Sequence, residues 1–351
     1  MTKLLEIKDR VVKFYGKFET YIHPAVKFLL AMLSFLMINR QIGYMEKLQS
    51  LPVVLVLALL CGILPMNFTL WIAMLMILLH LYSLSLEVAI TALVLFAVVF
   101  FLYFRFSPKD GVMALITPIC FQLRIPYIMP IASGLLRQVY SVISVVCGTV
   151  IYFFLDGVSQ NATVLMSAGE EGAIVTKSKF DVSVGQLLRN KEMFLVVAVF
   201  VLASLVVYMV RRLDVEQAWT LAIVSGILVE ITGLFVGYLI LSISDKTLWL
   251  LLGNVFSLLI GFVLKFWFMN LDYARTERVQ FEDDEYYYYV KAIPKKMVAG
   301  KEVTVKHFGN TVSMGKRVNP PKQTPSAGEK NQESSRRVIA KELDIDEDLL
   351  K

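Results

Sequence analysis

Between residues 25 and 269 the chain alternates long apolar runs with short polar connectors. The runs cover about 25–38, 51–65, 68–84, 86–104, 138–155, 193–210, 215–243 and 248–269. A helix of about 20 apolar residues crosses the hydrocarbon core of a bilayer. In lipid the backbone must bond within its own segment, so these runs are read as helices. The pattern predicts an all-α polytopic membrane protein with about eight transmembrane helices.

One region departs from this rhythm. Residues 111–123 and 125–136 are two apolar pieces, each too short to span, with Arg124 between them. They carry Pro118, Pro126 and Pro130, and proline removes a backbone donor and breaks helices. The expected structure is a re-entrant or broken-helix hairpin, with two short kinked spans as the alternative. Irregular backbone at membrane depth is tolerated only against protein or a water-filled cavity.

The polar segments divide the rest. In residues 1–20, Leu4, Val11, Tyr15 and Phe18 recur at helical spacing among lysines. This reads as an amphipathic helix on the cytoplasmic membrane surface, or as a positively charged lead-in to the first span. Residues 21–271 form the transmembrane domain, with an extracytoplasmic loop at 156–192 whose second half, 180–194, fits a short interfacial helix. Residues 272–315 are strand-rich, notably 278–294 and 302–308, and predict a small β-containing cytoplasmic tail. Residues 316–351 read as a disordered tail ending in a short helix or a frayed terminus.

Charge sets the orientation. Arg105, Lys109, Arg211, Arg212 and the basic tail fall on one side of the spans, Arg40 and Lys47 on the other. The positive-inside bias places both termini in the cytoplasm of a multi-pass cell-membrane protein. Only 18% of the 351 residues are charged, against about a quarter in soluble domains. The net charge of +6 suits anionic headgroups, and no basic patch interleaved with aromatics points to nucleic acid.

Candidate chemistry centres on Glu230, near the middle of the 215–243 run. An intramembrane carboxylate is a functional-site hypothesis by default. Gly226, Gly233 and Gly237 share its helix face and invite close packing. The next run offers Gly253, Ser257, Gly261 and Lys265 at spacings of four, with Asn254 beside them. Counted from the turn, Glu230 falls near the level of Gly261, and a Glu230–Lys265 pair fits the geometry. The group is read as an ion, proton or substrate site, as a buried polar staple, or as a neutral carboxyl without a role. Helix ends at Pro118, Pro126 and Pro130 offer a second binding feature. Arg124 and Arg137 there are suited to an anion or headgroup, or to snorkelling at the interface. His80 and Glu87 are read as interfacial, and lone histidines give no metal site.

Absent motifs narrow the class. The chain has no P-loop, no Gly-x-Ser-x-Gly, no His-Glu-x-x-His and no dinucleotide fingerprint. Cys61, Cys120 and Cys147 lie in apolar runs without Cys-x-x-Cys spacing and read as packing residues. Neither an enzyme nor a bound cofactor is expected.

The stretches Ile125-Pro-Tyr-Ile-Met-Pro-Ile-Ala-Ser-Gly-Leu-Leu136 and Glu277-Arg-Val-Gln-Phe-Glu-Asp-Asp-Glu-Tyr-Tyr-Tyr-Tyr-Val-Lys-Ala-Ile-Pro-Lys295 resemble an uncharacterised family of multi-pass clostridial proteins. Members are often labelled ABC transporter permeases. The resemblance covers most of the chain and implies transport, but supplies no functional residues. The expected function is therefore a membrane transporter subunit or permease-like protein. Its partners would be the lipid bilayer and a separate ATPase subunit at the cytoplasmic face. The alternative is a scaffold for a cell-envelope or secretion complex, with envelope-assembly proteins as partners.

Overall fold

The structure is a computed structural model that describes residues 2–167, 179–215, 217–243, 246–269, 277–282 and 287–292. In chain order the helices are α1 (Thr2–Ile42), α2 (Glu46–Gln49), α3 (Leu51–Ile63), α4 (Met66–Leu84), α5 (Leu86–Phe106), α6 (Gly111–Gln122) and α7 (Ile128–Leu136). They continue with α8 (Ser141–Gln160), α9 (Ala162–Ser167), α10 (Lys179–Leu188), α11 (Lys191–Arg211), α12 (Ala218–Ile240) and α13 (Thr247–Phe268). Strands β1 (Glu277–Glu282) and β2 (Tyr287–Ala292) pair antiparallel, with Val279 opposite Val290.

Local chemistry sets the boundaries. Pro52 stands in the first turn of α3, where its missing N–H is no loss. Pro65 separates α3 from α4 as the N-cap of the latter. Ser85 alone, in extended backbone, divides α4 from α5. Asn190 caps α11, its side chain accepting from the Met193 N–H at 3.0 Å. Among the described residues, seven helices are long and apolar enough to cross a membrane: α1, α4, α5, α8, α11, α12 and α13. The run at 51–65 becomes α3, a 13-residue helix below that length.

Contacts between helix ends order the bundle. At one end, Lys27 Nζ donates to the Leu64 carbonyl at 3.3 Å, and Ser107 Oγ meets Ser144 Oγ at 2.6 Å. Lys8 Nζ joins them by donating to the Phe266 carbonyl at 2.6 Å, where the last turn of α13 exposes carbonyls. At the other end, His80 meets Asn39, the Phe180 N–H donates to Glu87 at 3.2 Å, and Lys246 pairs with Glu192 at 2.6 Å. The helices α1, α3, α4, α5, α8, α11, α12 and α13 therefore run alternately between the two ends.

The pair α6–α7 makes the same excursion between the two ends with two shorter helices. It leaves the first end at Asp110 and reverses over 123–127, where Gln122 reaches Gln41 at 2.6 Å. It then returns to the first end, where Arg137 Nε pairs with Asp110 at 3.2 Å. Arg211 donates to the Leu135 and Arg137 carbonyls and satisfies the end of α7. Eight of the nine α7 residues are buried, so protein surrounds this short helix on all sides.

Within α1, non-helical backbone at Phe18 makes a kink between an N-terminal helix and the helix of the first span. The connector at 39–50 is partly helical, in α1 and α2. His80, near the end of α4 against the α1–α2 connector, is fully buried. The segment at 302–308 and the whole 316–351 tail lie outside the described residues.

Candidate functional site

The seam of α12 with α13 holds the polar residues singled out in the sequence. Glu230 is fully buried, and neither carboxyl oxygen has a hydrogen-bond partner. Asn254 Oδ1 and Ser257 Oγ are also buried and unpartnered, while Asn254 Nδ2 donates to the Leu250 carbonyl at 2.9 Å. Leaving such groups unsatisfied costs about 1–3 kcal/mol each, and more for a charged one.

The register of this antiparallel pair follows from two contacts. Gly261 faces Ile223 so closely that an added methyl would stand 3.1 Å from the isoleucine. Lys265 donates to Thr220 Oγ1 three to four residues further along. Seven residues return a helix to almost the same face. Stepping seven residues the opposite way from the Ile223–Gly261 contact brings Glu230 level with Asn254, and Ser257 lies one turn along the same face. Lys265, bound to Thr220, is about 15 Å away along the seam, so the expected Glu230–Lys265 pair does not form.

The glycines also have other partners than expected. Gly226 accommodates Val207, Gly233 takes Val199 and Gly237 takes Leu195, all on α11. They serve the α11–α12 contact rather than a seam with α13. Gly253 receives the ring of Tyr127 from the hairpin turn, and only Gly261 faces α12. Two glycines that the sequence did not single out hold the hairpin. A methyl on Gly134 would stand 2.8 Å from the Ser204 carbonyl, and one on Gly148 would stand 2.8 Å from the Ala114 carbonyl. Their only advance signal is a small residue within an apolar run.

The turn of the hairpin opens a cavity of about 250 Å³. Arg124, Pro126 and Tyr127 come from the turn, Tyr152 and Asp156 from α8, and Glu192 and Phe200 from α11. Tyr238, Lys246 and Trp249 complete the far wall. Arg124 has a left-handed backbone, φ 62°, and its guanidinium lies 4.2 Å from the Trp249 ring centre. Phe121 stacks on Tyr152 with ring centres 4.5 Å apart. The Lys246–Glu192 pair stands in this wall, and Asp156 accepts from Gln160 at 2.7 Å. Pro126 borders the cavity, whereas Pro118 and Pro130 do not.

Tyr127 links the two sites. Its ring lies on Gly253, next to Asn254, and it also lines the cavity. Its hydroxyl lies beside that of Tyr238. Glu230 itself does not line the cavity. Among the described residues, no three His, Cys, Asp or Glu side chains gather as a metal site, and Cys61, Cys120 and Cys147 are buried free thiols.

The long apolar helices, with large side chains such as Phe101, Val236 and Val255 turned outward, make this a multi-pass membrane protein. Compared with family models, with curated proteins and with solved structures, the chain matches none.

Proposed function

We propose that the chain is a membrane transporter subunit or permease-like protein whose solute occupies the cavity at the hairpin turn. The observation that carries this reading is the cavity itself. It combines aromatic faces with both signs of charge, and one wall is a broken helix pair. Broken helices supply free backbone groups and helix ends in transporter folds, and here the break opens at the end of the bundle that holds Lys246 and Glu192. The resemblance to permease-labelled proteins points the same way. The reading is non-catalytic.

In this reading the eight alternating helices cross the bilayer, α3 as a short crossing, and α6–α7 forms two further short, kinked spans, since its turn lies level with Gln41 and the Lys246–Glu192 pair. The end holding Arg105, Lys109, Arg211 and Arg212 faces the cytoplasm. A separate ATPase, if the family resemblance extends to mechanism, docks at that end. The exposed apolar residues Leu4, Ile7, Val11 and Phe14 of α1 then rest on the cytoplasmic leaflet.

The test compares solute accumulation in vesicles holding the native chain or Val196→Trp, a substitution on α11 between Glu192 and Phe200 in the cavity wall that should fill the cavity. A solute moved by the first and not by the second supports the reading. Identical profiles across a broad solute panel overturn it. A scaffold role has one observation in its favour, the closure of the seam around Glu230 away from the cavity. Co-purification of envelope-assembly proteins, with no ATPase and no solute movement, is the result that role predicts.

A further inference from the structure

We infer that Glu230, Asn254 and Ser257 form a sodium site in the seam between α12 and α13. Four oxygen atoms carry the inference: both carboxyl oxygens of Glu230, Oδ1 of Asn254 and Oγ of Ser257. All four are buried and unpartnered, and the packed register sets their residues at one level and one turn beyond it. Buried side-chain oxygens in native proteins have partners as a rule. Among the described residues seven buried side-chain atoms lack a partner, and four of them fall at adjoining levels of these two neighbouring helices.

Ser257 sharpens the point. Hydroxyls within helices commonly bond back to a carbonyl of the preceding turn. Ser34, Thr91, Thr117 and Thr149 all do so here, at 2.7, 3.0, 2.6 and 2.8 Å. Ser257 does not, although it is fully buried and its helix is continuous. Nor does it donate to Glu230, the nearest strong acceptor by register. Its oxygen is left with its lone pairs free, as a cation ligand needs.

The donor set selects the ion. Carboxylate, amide and hydroxyl oxygens suit hard cations, and no thiolate or imidazole takes part. One carboxylate balances one positive charge. A divalent ion would leave a net charge buried in a low-dielectric seam, at a large desolvation penalty. Known potassium filters use rings of backbone carbonyls, and carbonyls inside α12 and α13 are committed to their helices. Sodium fits the charge and the ligand type, with these four oxygens as part of its shell. Tyr127, which lies against Gly253 and lines the cavity, stands between this site and the cavity.

Sodium binding here is independent of the transport reading, so the two fail separately. The full chain, purified in detergent, is melted at fixed pH and ionic strength in sodium, potassium or choline chloride. Sodium should raise the melting temperature in a saturable way, by about 5 °C at high occupancy. Glu230→Gln should melt cooperatively and show no sodium response. Ser257→Ala keeps the charge and should raise the half-saturating sodium concentration about tenfold. It also serves if Glu230→Gln fails to fold. An equal response to potassium or choline, or a native sodium response in Ser257→Ala or in a folded Glu230→Gln protein, overturns the site. Sodium stabilisation without solute movement refutes transport and leaves the site standing.

Discussion

Two fully buried polar centres in this protein are built in opposite ways. His80 on α4 is satisfied at both ring nitrogens: Nδ1 accepts from the Met45 N–H at 3.1 Å, and Nε2 bonds Asn39 Oδ1 at 2.8 Å. Asn39 in turn donates to the Leu48 carbonyl at 3.1 Å. The accepting Nδ1 fixes the neutral tautomer with the proton on Nε2. This network ties the α1–α2 connector to α4 and needs nothing from outside. Glu230 is equally buried, yet its oxygens and those of Asn254 and Ser257 meet no donor. Burial alone therefore does not mark a functional group. The filled hydrogen-bonding inventory of His80 marks it as part of the fold, whereas the open one shared by Glu230, Asn254 and Ser257 is what the proposed sodium site would fill.

Substitutions at the two centres should behave differently. His80→Ala strands the Met45 N–H and the Asn39 carbonyl oxygen, and should destabilise by about 3 kcal/mol, with the sodium response unchanged. Thermal melts with and without sodium check both parts. Gly253→Ala places a methyl 2.5 Å from the Tyr127 ring and 3.1 Å from the Arg124 carbonyl. It should cost about 2 kcal/mol and alter thiol labelling of a cysteine placed at Tyr152 in the cavity, without disturbing the His80 network.

Glu230→Gln should act in the reverse sense. In sodium-free medium it removes an unpaired acid from the seam, and stability should stay level or rise by about 1 kcal/mol. A loss as large as that of His80→Ala would show that the carboxyl is structural after all. The smallest effect belongs to the Lys246–Glu192 pair beside the cavity. The lysine side chain is half exposed, so Lys246→Ala should cost well under about 1 kcal/mol. Its effect should fall on solute movement instead, read in the vesicle assay.

The helices were legible because hydrocarbon leaves the backbone few options, and an apolar run of sufficient length becomes a helix. Arg124 and Pro126 marked the break in the pair, since their backbone demands differ from their neighbours', whereas Pro118, also expected to break a helix, stands inside α6. The partner of each face was not legible. Periodicity shows that Gly226, Gly233 and Gly237 share a face, but not that α11 rather than α13 covers it. Counting from the turn set Glu230 beside Gly261. The packed register sets it beside Asn254, seven residues closer to the turn, because interlocking side chains, not the connector, fix how two helices slide. The cavity was hidden because its walls come from five separate segments that the fold alone brings together.

The most direct measurement is equilibrium binding of radioactive sodium to the purified chain, competed with unlabelled sodium and potassium. The account predicts one saturable sodium site per chain, weakly displaced by potassium, lost in Glu230→Gln and retained in His80→Gln. No saturable binding, or binding that survives in Glu230→Gln, would contradict it.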